Sequence, residues 1–314
     1  MNKRAIVFTF ITVIFLAIII VLFLININNR TQTKMQTLNV KVETLNGFVK
    51  NMNIRYLPDA LRASSNQAMT SMLDYESNES TYIEDELENY FIQVLGNGYY
   101  NNIKQEDMFQ DNLNFTLTTT LNEIKKLADL QGVVFEYTQQ DVENALSTLR
   151  FEQKDPWHIN VVLEFDYRIR DIKDEISWNL EDKEIKAVLD VQNYRDPLYL
   201  VEQDPGVSVR IKKAPDDIDF SNLQTFNDHM INVNFTNNTL SPSFLNRLRG
   251  DFTASDYGIE SLLDPVYYEN PLGYSNADYQ YFSQISGLCV EGMPSSFKLD
   301  QDHLEFYSRN ECLA

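Results

Sequence analysis

The sequence predicts an α+β fold: an N-terminal transmembrane and stalk helix, further helices, then an antiparallel β-meander and an irregular, aromatic-rich C-terminal region. Three observations predict it. An apolar run, Ala5 to Ile25, is followed by an apolar stripe at 3,4 spacing, and helical periodicity continues to about residue 131. At Gly132 the period drops to two. The hydroxyls of Thr9 and Thr12 are the only polar interruptions of the first run, and a helix satisfies them on its own carbonyls. At 1.5 Å per residue that run is about 30 Å long, the thickness of a bilayer's hydrocarbon core. Residues 1–25 are therefore expected to be a short basic leader plus a transmembrane helix acting as a signal anchor.

Residues 26–57 read as a basic stalk helix. Met35, Leu38, Val42, Leu45, Val49, Met52 and Tyr56 form one narrow stripe over three heptads. Such a stripe needs a cover, either a sister helix in an oligomer or the chain's own head folded back. Pro58 is expected to end or kink this helix, with another starting between Pro58 and Met72. Residues 58–131 then form a helical region. Asp74 to Ser80 reads as a polar connection; Thr81 and Glu84 have capping-box spacing, with Ile83, Leu87, Tyr90, Phe91, Val94 and Leu95 as an apolar face and Gly96-Asn97-Gly98 as the stop. A second helix is expected from Glu106 to Leu130 on the stripe Leu113, Leu117, Leu121, Ile124 and Leu127.

Residues 132–212 are expected to form the antiparallel sheet. Val133, Phe135 and Tyr137 mark a first strand, and Ala145, Ser147 and Leu149 to Phe151 a weaker second. Val161, Leu163, Phe165, Tyr167 and Ile169 alternate with polar residues as a third, and Ile185, Ala187, Leu189 and Val191 mark the return after a turn at Asp171 to Asp174. A sheet with one apolar face needs a helical cover, which the stalk or the Thr81 helix supplies. Residues 213–314 are mixed, and are expected to make one compact head with 58–212. A strand at Val207 to Ile211 and short helices near Phe220 to Ile231 and Ser243 to Leu248 introduce this region. Its aromatics (Tyr257, Tyr267, Tyr268, Tyr274, Tyr279, Tyr281, Phe282) read as core or as a surface for sugar or a partner protein.

Charge bears on partners. Residues 1–57 carry +6 and the remaining residues −26, for a net −20. An acidic head of this size repels nucleic acid, so no nucleic-acid role is expected. Lys3 and Arg4 before the apolar run and Arg30, Lys34 and Lys41 after it oppose each other in setting orientation. Cys289 and Cys312 would close a terminal loop as a disulfide in an oxidising compartment; the alternative is two unpaired thiols. Asn29, Asn78, Asn114, Asn234 and Asn237 begin Asn-x-Ser/Thr sequons. These features together favour a head outside the cytoplasm.

No GxSxG, GxGxxG, Walker loop or HExxH is present. Asp228-His229 and Asp302-His303 resemble dyad fragments, but adjacent residues point apart. Asp216, Asp217 and Asp219, and Asp300, Asp302 and Glu305, are acidic clusters without a calcium loop's glycine or alternating ligands, and read as solvated turns. No catalytic, cofactor-binding or metal residue is assigned; the chain is expected not to be an enzyme and to need no cofactor.

Lys3-Arg4-Ala5-Ile6-Val7, a basic pair, a small residue and an apolar run, resembles the N-terminus of archaeal type IV pilin-like precursors. The resemblance implies cleavage at Arg4, Ala5, Ile6 by a dedicated peptidase. The bacterial pattern of Gly before the cut and Glu early in the helix is absent. The body, through Asp155-Pro156-Trp157-His158, Ser177-Trp178-Asn179, Asp196-Pro197-Leu198-Tyr199-Leu200, Gly258-Ile259-Glu260-Ser261-Leu262 and Gly292-Met293-Pro294 with Phe297-Lys298-Leu299-Asp300, is similar to uncharacterised membrane-anchored archaeal surface proteins. The expectation is thus a single-pass protein of the cytoplasmic membrane with a surface role in assembly or adhesion. A non-polymerising anchored ectodomain that binds a solute, glycan or partner is the alternative, and an anchored hydrolase ranks last. Expected partners are the lipid bilayer and, through the N-terminal helix, sister subunits or pilin-like proteins.

Overall fold

The computed structural model describes residues 3–202 and 209–312; within these, the side chains of residues 3–18, 20, 24, 28, 29, 31, 33, 85, 111 and 112 are not described. Helix α1 (Lys3–Asn51) runs unbroken for 49 residues, about 73 Å of rod. It passes through a single π-helical turn (Met52–Tyr56) into α2 (Leu57–Glu79). Pro58 stands where one helix gives way to the next, as the sequence expects: α1 ends in the π-helical turn just before it and α2 starts at Leu57. Pro58 falls in the first turn of α2, where its missing N–H costs least, and the widened turn before it lets Leu57 N–H donate to Met52 O. Asp74 to Ser80 is likewise not a connection, because α2 continues to Glu79 and ends at Ser80 in the left-handed region (φ 51°). Burial holds that polar turn helical: Glu76 is buried and accepts the Ile83 N–H at 3.3 Å, and the Tyr75 ring packs 5.3 Å from Tyr90.

Helix α3 (Leu87–Asn97) follows a 3₁₀ turn (Glu84–Glu86). Glu84 sits at φ 55°, so the expected Thr81–Glu84 capping box does not form. The apolar face Ile83, Leu87, Tyr90, Phe91, Val94 and Leu95 is buried, and Gly98 (φ 80°) closes the helix by donating to Val94 O at 2.8 Å. The Phe109 ring fills the space where a Cβ of residue 98 would lie. A small hairpin, β1 (Tyr99–Tyr100) with β2 (Ile103–Lys104), comes next. The single helix expected over Glu106 to Leu130 is two pieces, a 3₁₀ segment (Glu106–Asn112) and α4 (Leu117–Leu130). Local side-chain bonding separates them: Asn114 Oδ1 accepts the Thr116 N–H at 2.9 Å, and Thr116 Oγ1 caps α4. Leu113 and Leu127, expected in the stripe, are exposed.

Strand β3 (Val133–Glu136) stands where alternation begins. The weak strand expected through Ala145 and Ser147 is instead α5 (Gln139–Ser147), opened by a Thr138/Asp141 capping box that presents Val142, Ala145 and Leu146 on one buried face. Strand β4 (Arg150–Asp155) follows, then the long pair β5 (His158–Asp171) and β6 (Ser177–Asp190). All pairings are antiparallel, but the sheet is not a meander. Strand β6 lines one edge of β5, while β4 (against 158–162) and β3 (against 168–171) share the other, with α5 between them in sequence. The inward row Val161, Leu163, Phe165, Tyr167 and Ile169 is buried. The end of α1 and α5 pack on β5, α2 on β6 and α4 on β3. The opposite face is laced with ion pairs: Arg150 with Glu184 at 2.9 Å, Lys186 with Glu152 at 3.5 Å, Arg168 with Asp174 at 2.7 Å and Arg170 with Glu136 at 2.7 Å.

The remaining elements are short: α6 (Pro197–Glu202), α7 (Leu223–Ile231), β7 (Thr236–Asn237), α8 (Phe244–Leu248), β8 (Ile259–Glu260), α9 (Asp278–Phe282), β9 (Leu288–Cys289), β10 (Lys298–Leu299) and α10 (Gln301–Phe306). Strand β7 pairs with β8, and β9 with β10. Of the strand expected at Val207 to Ile211, residues 207 and 208 lie outside the described residues, and the rest pairs with residues 193–196 as an isolated antiparallel bridge, Arg210 with Arg195, flanked by Asp196 N–H to Val209 O and Ile211 N–H to Tyr194 O, each at 2.9 Å. Mixed α+β architecture with antiparallel sheets is thus established. Among the described residues no helix is long and apolar enough to cross a membrane, and most of Ala5 to Ile25 lies outside the described side chains.

The heptad stripe divides in two. Leu45 and Met52 are buried with Phe48, which the stripe did not include, and Val49 and Tyr56 pack at the margin; Met35 and Leu38 are 63% and 42% exposed. The head folds back on the lower half of the stalk only. Truncating Phe48 to Ala is expected to cost about 3–5 kcal/mol, read by urea denaturation followed by tryptophan fluorescence. A loss below about 1 kcal/mol would mean that the stalk is not part of the core.

Candidate functional site

The predicted site residues fall in three places. Arg4, Ala5 and Ile6 lie in α1 with side chains outside the described set. The stripe residues divide between core and surface as above. Cys289 and Cys312 are joined by a disulfide with Cα atoms 5.5 Å apart, tying β9 to the segment after α10.

A buried polar cluster that sequence reading did not find sits among the short elements. Ser243 caps α8 by accepting from Asn246 N–H, which orients Arg247 on the next turn. Its guanidinium, wholly buried, donates to Asp196 Oδ2 at 2.6 Å, to Asp278 Oδ2 at 2.9 Å and to Ile259 O. Asp196 precedes α6 and accepts the Leu198 N–H at 2.8 Å. Asp278, the first residue of α9, also accepts the Ser261 N–H and hydroxyl, each at 3.0 Å. Burial pushes the Asp196 carboxyl up against the pull of Arg247, and the neighbouring Asp278 charge adds to the rise.

One residue along β8 a second cluster begins. Glu260 Oε2 accepts from Ser241 Oγ at 2.5 Å and from His303 Nε2 at 2.9 Å, and Oε1 accepts from Tyr307 OH at 2.5 Å. Asp300 caps α10 and binds His303 Nδ1 at 2.8 Å. Burial alone would lower the His303 pKa, but the Glu260 charge and the hydrogen bonds to Asp300 and Glu260 outweigh it and raise it to about 10. Burial would raise Asp300, and His303 more than reverses that, to about 2. Both imidazole nitrogens face carboxylates, and with its pKa raised the ring holds its second proton at neutral pH. Glu260, Ser241, His303 and Tyr307 are all buried. The two clusters are clasps that tie the short elements together.

The other sequence candidates separate. Asp302 is not the partner of His303, and Asp228 accepts from Gln224 Nε2 at 2.9 Å while His229 turns into the core. Neither His229 ring nitrogen has a hydrogen-bond partner among the described residues, and burial lowers its pKa to about 4. Asp216 pairs with Lys213 at 2.5 Å, and Asp219 accepts the Ser221 hydroxyl at 2.6 Å. Among the described residues no group of three or more His, Cys, Asp or Glu could hold a metal ion. The aromatics divide: Tyr279 is buried with Tyr199 and Tyr307, whereas Tyr267 is 80% exposed on a loop with Val266 and Leu272.

The candidate with open geometry lies at the stalk. A cleft of about 760 Å³ is bounded by Arg30, Lys34, Leu38 and Lys41 of α1 and by Lys173 and Glu175 of the turn after β5. Lys41 donates to Asp171 at 3.0 Å and to Glu175 at 2.5 Å, clamping turn to stalk. Arg30, Lys34 and Lys173 have no ion-pair partner among the described residues. Sequence reading registered the basic stalk but had no means of placing Lys173 beside it.

No family model, curated protein or solved structure matches the chain.

Replacing His303 with Gln is expected to destabilise the chain by about 3–5 kcal/mol at pH 7, since a buried carboxylate loses its cation. With a folded-state pKa of about 10 against an ordinary 6.5, the His303 contribution is complete below pH 6.5 and is lost as pH rises through 10. Denaturation midpoints of the unaltered chain should therefore fall between pH 7 and 10, with a shallower slope in His303→Gln; parallel slopes would disprove the assignment. Arg247→Met should cost a similar 3–5 kcal/mol, with partial recovery in the Arg247→Met/Asp278→Asn double variant.

Proposed function

We propose that the chain is a single-pass, membrane-anchored extracytoplasmic surface protein with a pilin-like N-terminus, acting structurally in surface assembly or adhesion. One observation carries this reading. The helix whose lower end supplies Leu45, Phe48 and Met52 to the core continues without a break into a segment where Ile19, Val21, Leu22, Phe23, Ile25 and Ile27 are each about half exposed or more. Ile19, Val21, Leu22, Phe23 and Ile25 have no cover among the described residues, and the residues before them, from Ala5, are as apolar. A bilayer, or the helical core of a filament, is the surrounding that such a rod requires. The Cys289–Cys312 disulfide supports a head in an oxidising compartment outside the cytoplasm.

A second reading is favoured by the loop carrying Val266, Tyr267 and Leu272, exposed by 79%, 80% and 70%. On that reading the head is a non-polymerising ectodomain that captures a solute, glycan or partner protein there.

Both readings expect the protein to stay with membranes in alkaline carbonate and to be released by detergent. They part on intact mass and assembly. Loss of Met1 to Arg4 and detergent-resistant oligomers support the pilin-like reading; a full-length chain that is monomeric in detergent sinks it and leaves the binding module.

A further inference from the structure

We infer that the cleft between α1 and the turn after β5 is an anion site for a phosphate-bearing lipid headgroup at the membrane surface. Three cations with no acidic partner among the described residues, Arg30, Lys34 and Lys173, converge on it from two separate elements. This convergence stands out in a chain of net charge −20. On the charged face of the sheet, by contrast, Arg150, Arg168, Arg170 and Lys186 each pair with a carboxylate. Here Lys41 takes up both nearby carboxylates, Asp171 and Glu175, and so leaves the other three cations unneutralised.

The fold builds the site. Arg30, Lys34 and Lys41 are spaced by four and seven residues and share one helix face, which from one turn beyond Lys41 carries Leu45, Phe48 and Met52 into the core. The face that packs on the head thus becomes a charged wall as it leaves the head, and the turn holding Lys173 overhangs it. Asp171 fixes that turn: its Oδ1 accepts the Glu175 and Ile176 N–H groups at 2.7 and 3.0 Å while Oδ2 accepts from Lys41. These bonds brace the turn, so the backbone that carries Lys173 is held beside the stalk cations.

Depth matches the ligand. Counted along the helix from Ile25, Arg30 lies about 7–8 Å and Lys34 about 13–14 Å beyond the apolar run. The headgroup layer extends roughly 5–8 Å past the hydrocarbon core. Arg30 therefore reaches the phosphates, Lys34 stands one turn above them, and the partly exposed Leu38 offers an apolar wall beside the charges. Arginine's fork and two ammonium groups suit a phosphodiester or phosphomonoester. The source of that phosphate, lipid and not solute, rests on the anchored reading; the charge geometry does not.

The test uses the full chain purified in a neutral detergent. Retention of phosphatidylglycerol and of phosphatidylcholine is compared by native mass spectrometry, with glycerol phosphate and inorganic phosphate as soluble competitors. The expected result is selective retention of phosphatidylglycerol, weakened about tenfold or more in Arg30→Gln/Lys34→Gln/Lys173→Gln and unchanged in Lys104→Gln/Lys125→Gln/Lys126→Gln at an unchanged melting temperature. Displacement of the lipid by millimolar glycerol phosphate or inorganic phosphate would support the anion site and show that it also takes free phosphate. Resistance to displacement would support a site for lipid alone. Equal retention of the two lipids, or equal losses in the two triple variants, would overturn the inference. Release of the protein by alkaline carbonate would defeat the anchor separately, since the detergent measurement does not depend on it.

Discussion

A sheet with one apolar face must be covered, and in this chain the cover and the long N-terminal rod form one helical run. Strands β5 and β6 present a row of large apolar side chains that would destabilise the head if left in water. Helix α2 lies along β6, the lower end of α1 reaches β5, and a π-helical turn joins the two helices. Tyr167 OH donates to Asn53 Oδ1 at 2.5 Å across this junction, fixing the turn on the sheet from the sheet's own inner face. The direction in which the rod leaves the head is therefore a property of the core. No flexible linker decides it.

The irregular C-terminal part solves a different problem. Its elements are too short to bury a continuous apolar face, so three consecutive residues, Ile259 and Glu260 of β8 and Ser261 after it, serve as a polar seam. On one side Arg247 gathers Asp196, Asp278 and the Ile259 carbonyl; on the other Glu260 gathers Ser241, His303 and Tyr307. Buried charge of this kind contributes little net stability compared with an apolar isostere, but removal of one member is costly. It specifies which loops meet. Gly258, just before the seam, has no room for a Cβ because the Asn238 and Ser241 carbonyls occupy that space.

What could be read from residues alone follows the range of the forces involved. Strands β5 and β6 were legible because Val161 to Ile169 alternate against a charged face, a pattern set by nearest neighbours. The α3 stripe and its Gly98 stop were legible for the same reason. Helix α5 was misread because Ala145, Ser147 and Leu149 imitate alternation, while the signal that decided the matter, Thr138 with Asp141, lies upstream at the cap. The tail of α2 was misread because its polarity is local and its cover, Tyr90 and Tyr100, is not. Arg247 could not be read as a keystone at all, since its carboxylates are 51 and 31 residues away. The basic cleft was half legible: the stalk charges stand in sequence, but Lys173 reaches them only through the register of β5 with β6.

The division of the heptad stripe constrains the proposed assembly. Below about residue 45 the stripe is consumed by the head, so a sister helix has only Met35, Leu38 and the segment before them to pack against. That same stretch carries Arg30 and Lys34, and parallel sister stalks would bring like charges together at matching heights. In water salt screens such repulsion over about 8–10 Å; beside a low-dielectric bilayer it is screened less. A phosphate held against Arg30, Lys34 and Lys173 would supply the missing counter-charge at each stalk. On this argument headgroup binding and stalk association are coupled, and the association of anchored chains should depend on the anionic lipid even though no lipid contributes to the helix contact itself.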